Sequence, residues 1–162
     1  MVADWEVTVF DDEQANAFAL PGGKIGVYNG LLNVAYNQHQ LAAVMAHEVG
    51  HVMANHSNER ASQSALRNVG LAAARVFGAS DTTIEAIDYG AQLGLFLPFN
   101  RTQESEADSI GIMLMAQAGF DPTQSIALWE NMSADGGPRP PEFPSTHPSP
   151  DSRMQWPKFE KE

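Results

Sequence analysis

The chain opens in alternation. Residues 5–10, WEVTVF, place an apolar side chain at every second position, the period of a half-buried strand. Residues 16–20 and 24–28 read as two more strands, and Pro21-Gly22-Gly23 between them suits a tight reversal, so an antiparallel hairpin is predicted. The period then lengthens. After a short helix or turn at 31–36, residues 38–58 carry Leu41, Val44, Met45, Val49, Val52 and Met53 at mixed three- and four-residue steps, as in a helix buried on most of its surface. An Ala-rich helix is predicted over 59–77 and another over 82–97, starting at the Ser80/Asp81 cap. Residues 99–119 form the next, with Pro98 before it and Asn100 able to cap it. Asp121-Pro122 opens a helix to about 135 that turns Ile126, Leu128, Trp129 and Met132 to the core. Residues 136–150 hold six prolines and read as an irregular, semi-rigid loop, with a short helix at 151–161 to finish. These elements describe an α+β, mainly helical fold with a small antiparallel sheet beside the first long helix. With no repeat in view, residues 1–162 are read as one domain.

The first long helix carries chemistry. His47, Glu48 and His51 stand as H-E-x-x-H, and positions four apart on a helix lie nearly above one another, so both imidazoles can share one metal ion. Glu48 sits about 100° round the helix from His47, where a carboxylate can reach water at the metal without ligating the ion. Gly50 in mid-helix costs about 1 kcal/mol against Ala, which points to something packed closely there. Without such packing, the same residues are a buried helix whose histidines satisfy carbonyls.

Composition narrows the field. Twenty acidic residues against nine basic give a formal charge of −11, which argues against nucleic acid as a partner. The absence of cysteine excludes thiolate zinc sites, thiol nucleophiles and disulfides. No apolar run approaches the ~20 residues of a membrane span. Met1 to Asp4 lack the basic and apolar blocks of a secretion signal, so the expectation is a cytosolic chain or a mature or truncated piece.

Two histidines need a third ligand. The metzincin extension would require Gly and His at positions that hold Ala54 and Ser57. On a continuous helix His56 falls about 140° out of phase with His51 and faces away from the metal. A carboxylate from another helix then completes a catalytic His₂Glu set. Glu104 is the candidate: it shares a face with Asp108 and with Ala107 and Gly111, whose small size lets this helix pack against Gly50. Asp108 is placed to orient a ligating histidine, or is an exposed helix acid. Glu106 points elsewhere, toward solvent, and Arg101 can pair with Glu104 one turn on.

HEVGH at 47–51, RTQESEAD at 101–108, NAFALPGG at 16–23, and Ser145-Thr146-His147-Pro148 with Arg153 resemble the zinc metallopeptidase family of CAAX prenyl endopeptidases, HtpX and Oma-type proteases. The four blocks come in the family order and cover nearly the whole chain. The resemblance implies a zincin-like metalloprotease domain holding one Zn²⁺ per chain, with Glu104 as third ligand beside His47 and His51. It is closest in kind to a soluble bacterial branch of periplasmic, envelope-associated proteases, with any targeting segment or lipid anchor lying upstream. It further implies peptide-bond hydrolysis with Glu48 as general base, on extended or unfolded polypeptide lying along Asn16, Ala17, Phe18 and Ala19. His147, supported by Arg153, is the candidate oxyanion donor; blocking the resting zinc and a plain turn are its other readings. The helices at 59–77 and 82–97 read as core or lid helices, and their Ala and Gly content also suits a partner surface, for a homo-oligomer or an envelope partner. The rivals are a non-catalytic, zinc-stabilised chaperone-like binding module and an esterase on the same constellation.

Overall fold

The computed structural model describes residues 4–134. Three strands come first: β1 (Glu6–Phe10), β2 (Ala17–Leu20) and β3 (Lys24–Tyr28). The reversal between β2 and β3 places Gly22 and Gly23 at φ of 93° and 91°, a region that glycine enters without a side-chain clash. β2 and β3 pair antiparallel, with Ala17 opposite Val27 and Ala19 opposite Ile25. β1 joins the other edge of β3 in parallel, so the sheet is mixed and its order is β1-β3-β2. The hairpin follows the sequence; the parallel partner does not, because alternation says which face a strand buries and nothing about its neighbour's direction.

A 3-10 turn, Asn29–Asn33, leads into α1 (Gln38–Met53). Asn37 caps that helix, its side-chain oxygen accepting from the backbone N–H of His39 and Gln40 at 2.9 and 3.0 Å. α1 is shorter than the apolar period suggests. It ends at Ala54, and Asn55 adopts φ 63°, a left-handed conformation that asparagine tolerates better than most residues. The chain therefore turns, and α2 (His56–Val76) begins as a separate helix. α3 (Asp81–Ala91) is capped by Ser80, which accepts from Thr83 N–H at 3.2 Å. A π-helical stretch, Gln92–Phe96, fuses it to α4 (Leu97–Gln117), so Asn100 lies inside a helix that starts earlier than expected. α5 (Gln124–Ala134) follows a turn in which Asp121 accepts from Thr123.

The core lies between the sheet and the α1–α4–α5 layer. Ala17, Ile25 and Val27 share one buried cluster there with Val44, Met115, Leu128 and the fully buried Leu31. Ile126, expected inward, is 47% exposed; one turn of α5 has a single fully buried position, and Leu128 fills it. No helix among the described residues is long and apolar enough to cross a membrane.

Candidate metal centre

α1 and α4 cross with almost nothing between their backbones. A Cβ on Gly50 would stand 2.7 Å from the Ala107 carbonyl oxygen, and one on Gly111 would stand 3.1 Å from the His47 backbone nitrogen. The close approach that Gly50 signalled is thus made by α4, and it sets ligand-bearing turns of both helices face to face. Glu104 and Asp108 lie one turn apart on α4, as His47 and His51 do on α1.

The result is a triangle of ligand atoms. His47 Nε2 and His51 Nε2 are 3.1 Å apart, Glu104 Oε2 is 3.3 Å from the first and Glu104 Oε1 is 3.3 Å from the second. All three residues are buried. Tetrahedral coordination at bond lengths of 2.0–2.2 Å sets ligand atoms roughly 3.3–3.6 Å apart; the two imidazole–carboxylate separations, one to each Glu104 oxygen, match that spacing and the 3.1 Å between the imidazoles falls just short of it, so the group can close on a zinc ion with a small adjustment. Glu48 and Glu104 are buried beside the histidines, 6% and 2% exposed, where a carboxylate is stable only with hydrogen-bond or cationic partners. Two neutral imidazoles, one carboxylate and no sulfur form a donor set suited to zinc.

Neighbouring side chains aim the ligands. The Asp108 carboxylate lies 2.8 Å from His47 Nδ1, so that Nδ1–H donates to it and the Nε2 lone pair is left for a metal. Glu104 is also held by Arg60 of α2, whose Nη2 donates to Oε1 at 2.9 Å while its Nε donates to Gln103 Oε1 at 2.9 Å. Gln103 in turn donates to Glu59 at 2.7 Å. Sequence offered Arg101 as the partner of Glu104. The cation that meets it is Arg60, delivered by the turn at Asn55, and its position on an ordinary-looking polar helix carried no signal. His56 is corrected in the same way. It is not in line with His51 on one helix but heads α2, buried, with Nδ1 2.8 Å from His51 Nδ1. It thus touches the ring edge opposite the ligand triangle.

Glu48 and His51 line a cleft of about 150 Å³ together with Asn16 and the β2 residues Ala17 to Ala19. Arg60 and His56 line it as well. Asn16 accepts from Tyr28 N–H, so in this antiparallel pair the backbone groups of 16, 18 and 20 turn to β3 and those of Ala17 and Ala19 turn to the cleft. Ala17 is itself buried, so the edge opens into a narrow slot rather than broad solvent. His147 and Arg153 lie outside the described residues.

Two histidines and a carboxylate converging from crossed helices, beside a buried glutamate and an open strand edge, define a helical metallopeptidase-type domain. Comparison with known proteins makes this specific: the chain belongs to peptidase family M48, whose model matches residues 2–156. It is 43% identical over 155 residues to the mitochondrial metalloendopeptidase OMA1 of Schizosaccharomyces pombe, covering 93% of this chain and 45% of that protein. Against the human mitochondrial metalloendopeptidase OMA1 it is 33% identical over 169 residues, 94% of this chain and 32% of the relative. The β-barrel assembly-enhancing protease of Escherichia coli K12 is 32% identical over 158 residues, 90% of this chain and 32% of the relative. The chain thus spans less than half the length of each of these relatives.

Proposed function

We propose that this chain is a zinc-dependent endopeptidase that hydrolyses peptide bonds in extended or unfolded polypeptide. The observation that carries the reading is the convergence of His47, His51 and Glu104, with ligand atoms 3.1 to 3.3 Å apart, at a cleft that His51 and Glu48 line. A zinc ion held there supplies Lewis-acid chemistry, acidifying water and polarising the scissile carbonyl. Glu48, lining the same cleft, takes the proton of the attacking water and passes it to the leaving amine. Asp108 keeps the hydrogen of His47 on Nδ1, and Arg60 holds Glu104 in place. The developing oxyanion needs a donor beside the metal, a role assigned on family resemblance to His147 with Arg153 supporting it.

The cleft-facing backbone of Ala17 and Ala19 suits a substrate strand added to β2 through main-chain hydrogen bonds. A folded protein does not lend its backbone in that way, so unfolded segments are the substrate class. The relatives' names point to different settings, mitochondrial for one and β-barrel assembly for the other. Proteolysis is what they share, and it alone is carried to this chain.

The test is Glu48→Gln. The variant is expected to bind zinc stoichiometrically and to lose casein cleavage by roughly 10²–10⁴-fold, the usual contribution of a general base. Undiminished cleavage removes Glu48 from that role. Loss of zinc along with cleavage makes Glu48 a structural residue, the behaviour of a non-catalytic zinc-stabilised module.

A further inference from the structure

Asp108 accounts for only one of the two imidazoles. A histidine that gives its Nε2 lone pair to a metal carries its hydrogen on Nδ1, and that N–H needs an acceptor to fix the ring. For His51 the facing atom at 2.8 Å is neither carboxylate nor carbonyl but Nδ1 of His56. Two N–H groups cannot face each other across such a distance, so if His51 Nδ1 donates, His56 Nδ1 must accept. The hydrogen of His56 is then on Nε2, and that atom lies 3.4 Å from Glu106 Oε2. The tautomers of both rings follow from one condition, that His51 Nε2 ligates a metal.

We infer that His56 is a positioning residue for the metal centre, the middle of a relay running from the Glu106 carboxylate through His56 to His51 and so to zinc. Its burial supports a fixed role, since His56 is 1% exposed and a buried polar ring is stable only with its nitrogens partnered. The two ligand histidines are thereby aimed by different devices. α4 orients His47 directly through Asp108, while α2 orients His51 through a second imidazole whose far nitrogen returns to α4 at Glu106. Glu106 remains mostly exposed, its side chain 57% accessible, as its helical phase predicted, yet one of its oxygens closes the relay. Asn55 makes this geometry possible, because its left-handed backbone brings His56 back against the helix that has just ended.

The inference rests on the zinc reading of the site but not on catalysis. It is tested by zinc affinity in the full 162-residue chain carrying Glu48→Gln, measured by competition with a chelator of known affinity. His56→Leu removes the acceptor while keeping an apolar fit, and is expected to weaken zinc roughly 10–100-fold. His56→Asn, whose side-chain oxygen replaces Nδ1 as acceptor, is expected to restore affinity to within about threefold of the parent, which a merely space-filling role would not produce. Nitrogen-15 spectra of the zinc-loaded parent give a readout independent of any variant's folding: hydrogen on Nδ1 of His51 and on Nε2 of His56. Hydrogen on His56 Nδ1, or equal affinity in His56→Leu, overturns the relay and leaves the proposed peptidase standing. Failure of the unsubstituted chain, with Glu48 in place, to bind zinc overturns both.

Discussion

Replacing Gly50 with alanine sets two well-calibrated effects against each other. Intrinsic helix propensity favours alanine by about 1 kcal/mol at a mid-helix position. Packing opposes it: the new methyl would stand 2.7 Å from the Ala107 carbonyl oxygen and 3.1 Å from its Cα, both backbone atoms of a helix that cannot yield by rotating a side chain. Restoring ordinary contact of 3.4 Å requires α1 and α4 to part locally by about 0.7 Å. Overpacking of this kind costs about 1–3 kcal/mol, so after the propensity gain a net destabilisation of roughly 0–2 kcal/mol is expected. The consequence for the metal is sharper. Gly50 immediately precedes His51, Ala107 lies between Glu104 and Asp108, and coordination distances tolerate only about 0.2 Å of error. Zinc affinity should therefore fall at least tenfold, about 1.4 kcal/mol. The assay is urea unfolding of the zinc-free chain together with chelator competition. Gly90→Ala in α3 is the control: nothing lies within 4 Å of its new methyl, and it should stabilise the protein by about 0.5–1 kcal/mol. If Gly50→Ala behaves like Gly90→Ala and binds zinc undiminished, the backbone contact does not set the ligand triangle.

Asp108→Ala leaves His47 Nδ1 without its carboxylate and should weaken zinc roughly 10–100-fold in the same competition assay; unchanged affinity would make Asp108 a bystander. Chelation should abolish peptide cleavage and lower thermal stability, and zinc at 100 times its dissociation constant should return about 2.7 kcal/mol, so coincident melting curves with and without zinc would refute the site. The bidentate hydrogen bonds and charge of Arg67 hold Asp88 below its ordinary carboxylate range, tying α2 to α3. A depressed carboxylate stabilises the fold above its unfolded pKa and ceases to do so as pH falls through the folded value. The stability gap between the parent chain and Asp88→Asn should therefore be constant from about pH 5 to 7 and close below about pH 4; a gap that widens on acidification contradicts the pairing.

Much of the centre was legible because helical phase is a local property. The four-residue step alone stacks His47 over His51 and Glu104 over Asp108, and small residues at Gly50, Ala107 and Gly111 mark the faces that can touch. The hairpin was legible for the same reason, its Gly22-Gly23 turn being written into three consecutive residues. Phase, however, is measured about a helix's own axis, and it carries no information across a break. One left-handed residue, Asn55, ended α1 early and redirected everything after it, which is why His56 lies against His51 and Arg60, not Arg101, reaches Glu104. The parallel setting of β1 and the exposure of Ile126 belong to the same class. Sequence by itself determined which residues could act together along each element. Only the tertiary structure decided which elements face each other, because that choice balances packing and burial over the whole chain rather than within any window of it.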